Sequence, residues 1–595
     1  MIVSRIFDLV ENYLEKYPYK TDVFAGKENK VWRKVSTSEF KLKVDLISSG
    51  LIELGLKSGD KVATISNSRP EWNLTDHAIL QAGMIHVPIY PTLSIDDYKY
   101  ILEHSEISCV FISDKLLIQK LKPLIINIPK IQFIYTYNEV DGEKNFKEVI
   151  DLGSNNIEKN RALIENIKKS ISENDLATII YTSGTTGVPK GVMLSHRNIV
   201  TNFASTSFIQ PLNHNHRALS FLPLCHVYER VLNYQYQYLG ISIYYAENMG
   251  TIADNIKEVK PHCFSTVPRL LERIYDKIIS AGKDLTGFKK KLFFWALELA
   301  HGYELNRANG IIYSLKLSLA RKLIFSKWKE GLGGNTQLIV SGGAALQVRL
   351  AKVFWASGMK VIEGYGLTET SPIISVNHLH SPNVKFGTVG PIISDVTVKI
   401  ANDGEILCKG PNVMMGYYKD SEATKEIIDS DGFLHTGDIG TLVDDKFLKI
   451  TDRKKEIFKS SSGKYIAPQI IENKLKESDV IEQCIVIGEN QKFASAIISP
   501  NFNFLHFWAA KHKIHYTDNR DLANNPKVIE RVQREVNCFN KSLALHEQVK
   551  RIRVVGEEWS VQSGELSQTL KLRRKFIQEK YADSVKSIYL QEIDN

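Results

Sequence analysis

Between Gly59 and Tyr90 the stretch GDKVATISNSRPEWNLTDHAILQAGMIHVPIY runs from a short apolar segment through a polar loop to a helical pattern starting near Pro70, and ends in a second apolar segment before Pro91. That order predicts a strand, a helix and a second strand, a βαβ unit. The alternation returns at CVFISDK, at ALSFLPL, and from TQLIVSGGAAL through a helix over 350–357 to MKVIEGYG. Sheets of parallel strands flanked by helices are therefore expected, an α/β fold. LATIIY is an uninterrupted apolar run and reads as a buried strand. After Gly387 the texture changes to short strands and turns, as in VKIANDGEILCKG and GFLHTGDIGTLVDDKFLKITDRKK, which predicts a small β-rich subdomain over about 387–451. No internal repeat or low-complexity linker interrupts this order.

The segment 289–329 differs. FFWALELA and IIYSLKLSLARKLIFSKWK predict basic helices dense in aromatic and aliphatic side chains. They read as helices packed on the main domain with their lysines in water; the alternative is contact with an anionic membrane surface. The N-terminal MIVSRIFDLVENYLEKYPYK spaces its apolar residues helically among acids and lysines, unlike a signal peptide, and no apolar run is long enough to span a bilayer.

At 595 residues the chain exceeds one compact core, so at least two domains are expected. Hydrophobic residues at 43% and charged residues at 24% are ordinary globular values and exclude a disordered class. The net charge of +9 is small for this length and does not imply nucleic acid. Six scattered cysteines without a C-x-x-C pair suggest neither a disulfide framework nor a zinc site, and fit a reducing cytoplasm.

The loop YTSGTTGVPKG, Tyr181 to Gly191, concentrates hydroxyls, glycines and a lysine. Glycine lets backbone N–H groups approach phosphate oxygens, and Ser, Thr and Lys add donors. A Walker A loop places Gly directly before Lys and Ser or Thr after it; here Pro189 precedes Lys190 and Gly191 follows, so that pattern fails. Taken alone, the loop reads first as a turn-rich hairpin connection, and other parts of the chain must decide.

Four further stretches join it: PLCHVYE from Pro223, SGGAAL from Ser341, EGYGLTET from Glu363, and HTGDIG from His435 followed by TDRKKEIFK from Thr451. In this order and spacing, from about Gly59 to Lys571, they resemble the adenylate-forming superfamily, most closely its long-chain fatty acid CoA ligases. The resemblance implies a large N-terminal domain, 1–451, and a small mobile α+β C-terminal domain, 452–595, with Asp452 as the hinge. It implies an enzyme that activates a long-chain fatty acid with ATP to acyl-AMP, releasing pyrophosphate, and then transfers the acyl group to coenzyme A. The chemistry suits these motifs: a carboxylate must be made a better acyl donor, and bringing two anions together requires preorganised cations and donors.

Carried over by position, the resemblance gives the β- and γ-phosphates to Thr182, Ser183, Gly184, Thr185, Thr186, Gly187 and Lys190. It places adenine against Gly342, Gly343 and Ala344 and beside Glu363, Gly364, Tyr365 and Gly366, sets Thr368 at the α-phosphate, and makes Glu369 the Mg²⁺ ligand. In isolation Glu369 reads equally as an exposed hinge acid and Tyr365 as a core aromatic. Asp438 and Arg453 would hold the ribose, His226 would orient the acyl carboxylate, and Glu229 has no assigned role. Lys571 in SGELSQTLKLRRKFI would bridge carboxylate and α-phosphate, against the plain reading of one basic residue in a run with Arg573, Arg574 and Lys575. Gly463 would admit the pantetheine arm, although Ser462 stands where related ligases carry a second glycine. A swing of the small domain would separate the two half-reactions.

Two rival readings stay open here. One is a fatty acyl-AMP ligase that loads a carrier protein, and the other a noncatalytic nucleotide- or lipid-binding member of the fold. The expected partners are small molecules, not nucleic acid, with location in the cytoplasm and, on the alternative reading of 289–329, peripheral contact with the inner face of the membrane.

Overall fold

The computed structural model describes residues 2–183, 188–209, 211–461, 463–567 and 570–590. Two compact units emerge: Met1–Val398 with Leu407–His435, and Lys399–Ile406 with Thr436–Asn595.

The first unit contains two mixed sheets. One runs, edge to edge, Gly416–Tyr417, Pro189–Ser195, Leu176–Ser183, Ile85–Ile89, Lys61–Ile65, Ile107–Ile112 and Phe133–Thr136. The other runs Ile373–Val376, Lys360–Gly366, Leu338–Ser341, Cys263–Thr266, Arg217–Ser220, Ser242–Tyr245, Phe24–Glu28 and Val31–Val35. The βαβ reading of 59–90 holds, with Lys61–Ile65 and Ile85–Ile89 parallel and the helix Pro70–Gln81 between them. The sheets are not wholly parallel: Leu176–Ser183 pairs antiparallel with Pro189–Ser195, because so short a connection cannot make the crossover that parallel strands need.

Two helices, Pro70–Gln81 and Val227–Tyr238, are buried almost all round. One hydrophobic cluster joins them to both sheets, with Val62 and Phe111 from one sheet, Ile243 and Leu338 from the other, and Trp72 and Leu232 from the helices. Helices in such a place are usually apolar throughout, yet these carry Asn73, Asp76, His77, Glu229, Arg230 and Gln237 fully buried. Burying such groups is tolerable only where they find partners. His77 Nε2 lies 2.7 Å from Gln237 Oε1, and Asn73 donates to the Tyr245 hydroxyl at 2.7 Å.

Within 289–329 the chain forms helices Gly287–His301 and Gly310–Ala320, a wider turn of π type over Arg321–Phe325, and a short helix Ser326–Gly331. Phe293, Leu297, Leu317, Phe325 and Trp328 pack inward. Lys289, Lys290, Lys291, Lys316, Lys322 and Lys327 face water as expected, but so do Ile311, Ile312, Leu315 and Leu319.

The second unit contains the hairpin residues Asp438 to Arg453 and a three-stranded sheet of Ile481–Ile487, Ala494–Pro500 and Val549–Val554. Pro526–Asn540 shows why its helices form. Pro526 starts the helix behind an Asn525 cap, and Val528, Val532 and Val536 at four-residue steps supply the buried face.

Candidate functional site

In the first unit, the strand Leu176–Ser183 is anchored by fully buried Ala177, Thr178 and Ile179, and ends at the motif loop. Gly184, Thr185, Thr186 and Gly187 lie outside the described residues. Thr182 pairs across the hairpin with Lys190, and Ser183 with Pro189. Lys190 Nζ stands 4.9 Å from the centre of the Tyr417 ring. The Tyr417 hydroxyl in turn donates to Glu369 Oε1 at 2.9 Å. Tyr417 thus links the motif lysine, 227 residues away, to the motif acid, 48 residues away, in a way that neither motif announces. The Glu369 carbonyl also accepts from Met414 N–H at 2.9 Å, which fixes its backbone beside the strand that carries Tyr417.

Glu363, Gly364, Tyr365 and Gly366 close the strand Lys360–Gly366, and Thr368, Glu369 and Thr370 form a single turn after it. Gly366 is required by sterics: a Cβ there would sit 1.6 Å from the Pro372 carbonyl oxygen. Glu363 is buried and accepts from Leu346 N–H at 3.1 Å, tying the SGGAAL loop to this strand. Burial pushes its carboxyl up to about 8, only partly offset by that bond, so at neutral pH it is mostly protonated. Gly342 is backed by the Tyr228 ring, 3.0 Å from where a Cβ would stand, while Gly343, at φ +82°, and Ala344 are exposed. Tyr228 is held there by its hydroxyl, which donates to the Val340 carbonyl at 2.9 Å.

His226 caps the helix Val227–Tyr238, its Nδ1 accepting from Tyr228 N–H at 3.1 Å, and its ring lies edge-on to Tyr90 with centroids 6.5 Å apart. Just beyond it, two adjacent charged residues reach opposite sheets. Glu229 accepts from Ser220 Oγ at 2.5 Å and from Ser265 Oγ, both in the eight-stranded sheet. Arg230 donates to Asp76 Oδ1 at 2.6 Å, to Tyr234 Oη at 2.7 Å and to Thr178 Oγ1 at 2.8 Å, the last in the strand that leads into the motif loop. Asp76 is also bonded by the Tyr234 hydroxyl and lies 2.6 Å from His86 Nδ1. The start of the His226 helix is therefore pinned to both sheets at once. Burial pushes Glu229 up to about 7 against its hydroxyl and amide donors. For Asp76, burial pushes up as well, but Arg230 and His86 outweigh it and hold the carboxyl well below the usual range.

In the second unit, Asp438 and Arg453 face each other across the hairpin, with Arg453 Nε 3.0 Å from Asp438 Oδ1. Asp438 is buried and Arg453 40% exposed, so the pair has one face open to solvent. Asp452 is buried, and its carboxylate takes the N–H groups of Arg453 at 2.7 Å and Gln469 at 3.0 Å, the second from the first turn of the helix Pro468–Leu475. Burial, with Glu456 and Glu472 nearby, pushes it up to about 7 despite those two donors. Gly463 turns at φ +81° in the connection between Phe458–Lys459 and Tyr465–Ile466, its N–H donating to Ser460 O at 2.9 Å; Ser462 lies outside the described residues.

The basic run near Lys571 separates into distinct environments. Arg574 is nearly buried and donates to Glu472 at 2.8 Å and Glu456 at 3.3 Å, which makes it an internal tie. Lys575 is 90% exposed. Lys571 lies exposed beside the turn at Leu570, its backbone bonded both ways to Ser567. Among the described residues, no group of three or more His, Cys, Asp or Glu is arranged to hold a metal ion.

Tyr417, Tyr228, Asp76 and Arg230 were not readable as site residues. Each is an ordinary tyrosine or charge in sequence, and the contacts of Tyr417 with Glu369 and Lys190, of Tyr228 with Val340 and of Asp76 with Arg230 span 48 to 227 positions. For Arg230 the one available signal was its place directly after PLCHVYE.

Residues 10–418 match the family described as AMP-binding enzyme, and residues 455–592 match the AMP-binding enzyme C-terminal domain. The chain is 33% identical over 570 residues to long chain acyl-CoA synthetase 6, peroxisomal, of Arabidopsis thaliana, covering 91% of this chain and 80% of that one. It is 30% identical over 572 residues to the long-chain-fatty-acid–CoA ligase FadD15 of Mycobacterium bovis, covering 94% and 93%. It is also 34% identical over 598 residues to long-chain-fatty-acid–CoA ligase 5 of Rattus norvegicus, covering 95% and 85%. Among solved structures, anthranilate CoA ligase AuaEII in complex with anthranoyl-AMP superposes with a TM-score of 0.71 at 18% identity, over 97% of both chains. ATP-bound MatB from Rhodopseudomonas palustris does so with a TM-score of 0.70 at 19% identity, over 98% of this chain and 100% of that one. These structures establish the fold, and with both family matches and relatives of 30–34% identity along nearly its whole length, the chain belongs to the AMP-binding enzyme family.

Proposed function

We propose that the protein is an ATP-dependent long-chain fatty acid CoA ligase. It joins a fatty acid to AMP with release of pyrophosphate, then passes the acyl group to coenzyme A, yielding acyl-CoA and AMP. The observation that carries this reading is Tyr417, which stands against Lys190 and bonds Glu369, so that a motif cation and a motif carboxylate flank one ring.

The loop 182–187 and Lys190 hold the β- and γ-phosphates, which become the leaving group. Gly342, Gly343 and Ala344, with Tyr228 beneath Gly342, form the adenine ledge beside Glu363 to Gly366. Glu363, mostly protonated at neutral pH, keeps this ledge from adding a full negative charge. Thr368 serves the α-phosphate, and His226 orients the fatty acid carboxylate, which is already ionised and needs no base. Asp438 and Arg453 hold the ribose hydroxyls. Lys571 offsets the charge that builds at the α-phosphate in the first step. Asp452 is the pivot between the domains 1–451 and 452–595, and the turn at Gly463 admits pantetheine in the second step.

Glu369 fits Mg²⁺. A partly buried carboxylate oriented by a tyrosine hydroxyl suits an ion that takes one or two carboxylates and fills its shell with phosphate oxygens and water. Bound there, the ion would screen the phosphate charge. We place the protein in the cytoplasm, where its cysteines, all unpaired, would stay reduced. Among the described residues no helix is long and apolar enough to cross a membrane, and we assign the segment 289–329 to peripheral contact with a membrane surface.

The test is exchange of labelled pyrophosphate into ATP, measured with acids from acetate to oleate. Long-chain acids should drive exchange far better than acetate, and a flat response overturns the fatty acid assignment. Release of AMP on adding free CoA separates this reading from transfer to a carrier protein.

A further inference from the structure

The helix Gly310–Ala320 is apolar on two faces. Its inner face is accounted for: Leu317 and Ala320 are buried, and Tyr313 is half-buried with its hydroxyl donating to the Leu299 carbonyl at 2.5 Å. Its outer face carries Ile311 at 81% exposure, Ile312 at 72%, Leu315 at 67% and Leu319 at 50%. Residues four apart are neighbours on a helix, so Ile311, Leu315 and Leu319 form one stripe with Ile312 beside it. A helix that only packs against its own domain needs one apolar stripe and exposes polar residues on the other side. Contiguous exposed aliphatic side chains of this kind mark an interaction surface.

The charge around the stripe says what covers it. Between Gly287 and Lys329 there are nine Lys and Arg against two Glu, a net +7, when the whole chain carries only +9. Lys289, Lys290, Lys291, Lys316, Lys322 and Lys327 are all exposed. Of the two acids, Glu304 is bonded by Lys352 and Glu298 faces water. Phe288, 77% exposed, stands directly before the three consecutive lysines. Aliphatic side chains set among cations match a surface that is apolar a few ångströms down and anionic on top.

We propose that the face of the helix Gly310–Ala320 bearing Ile311, Ile312, Leu315 and Leu319 inserts into the headgroup boundary of an anionic bilayer, with the lysines of 289–327 held against its lipid phosphates. This rests on the reading of 289–329 as a membrane contact and narrows it to one helix face. Insertion would also bring the enzyme to the phase in which a long-chain acid is dissolved.

The experiment is co-sedimentation of the full-length protein with vesicles of phosphatidylcholine alone and of phosphatidylcholine with 30% phosphatidylglycerol, a test composition of about one anionic lipid in three. Wild type should bind the anionic vesicles and release in high salt. Ile311→Ser with Leu315→Ser should weaken binding about tenfold or more, since two aliphatic anchors leave the acyl boundary. Neutralising Lys289, Lys290 and Lys291 to Gln should weaken it about 100-fold. Pyrophosphate exchange with a short, water-soluble acid should be unchanged in both variants, which shows that they are folded. No binding by wild type to either vesicle overturns the membrane reading altogether. Binding that persists in Ile311→Ser/Leu315→Ser overturns the assignment of this face while leaving the broader contact standing. A dimer in sedimentation velocity that this double variant converts to monomer, without vesicle binding by wild type, assigns the face to a second copy of the chain and overturns the proposal.

Discussion

Replacing Arg230 with Met removes a fully buried guanidinium while keeping most of its volume. Three donors disappear, at 2.6 Å to Asp76, 2.7 Å to Tyr234 and 2.8 Å to Thr178. Asp76 keeps the Tyr234 hydroxyl and His86, but its charge loses its counter-ion in a site with no solvent. Breaking one side of a buried pair costs about 3–5 kcal/mol. With an unfolding entropy of roughly 2 cal/mol/K per residue over a unit of about 430 residues, that lowers the apparent melting midpoint by about 3–6 °C. The sign with pH follows from the depressed Asp76 pKa. Its contribution is fully present above the unfolded carboxylate pKa near 4 and is lost as pH falls, so the deficit of Arg230→Met is full at pH 7 and narrows toward acid. Adding Asp76→Asn removes the stranded charge, so the double variant should melt about 2 °C higher than the sum of the single shifts requires. Thermal melts of the four proteins at pH 7 and about pH 3 check this. A single-variant shift below about 1 °C, or strict additivity in the double, refutes the clamp as the reason these charges are buried.

Glu229→Gln mimics the protonated acid. Because burial raises Glu229 to about 7, its share of wild-type stability is lost as pH climbs from the unfolded value near 4.5, about 2–3 kcal/mol between pH 5 and 8, and melts of the variant over that range should decline less than wild type by that amount. Lys571→Ala should abolish pyrophosphate exchange yet retain thioester formation from supplied acyl-AMP; equal loss of both half-reactions would count against a mobile C-terminal domain. Tyr417→Phe removes the hydroxyl that orients Glu369 and should raise the Mg²⁺ concentration for half-maximal exchange by about 10–100-fold, whereas an unchanged Mg²⁺ titration would remove Glu369 from the metal's shell.

By itself the amino-acid order determined the strands and helices around each motif. Apolar periodicity marked Lys61–Ile65, Pro70–Gln81 and Ile85–Ile89. The family, too, was written in five short stretches, since phosphate and nucleotide contacts rely on residues close together in sequence. What only the tertiary structure decided were relations between residues far apart. Asp76 meets Arg230 and Glu369 meets Tyr417 because strands and helices from separate parts of the chain converge, and no periodicity encodes which charge will meet which. The same holds for the helix Gly310–Ala320. Its composition is that of a core helix, and only the packing of Leu317 and Ala320 inward leaves Ile311, Leu315 and Leu319 facing out, because a side chain's burial depends on what the rest of the fold brings over it.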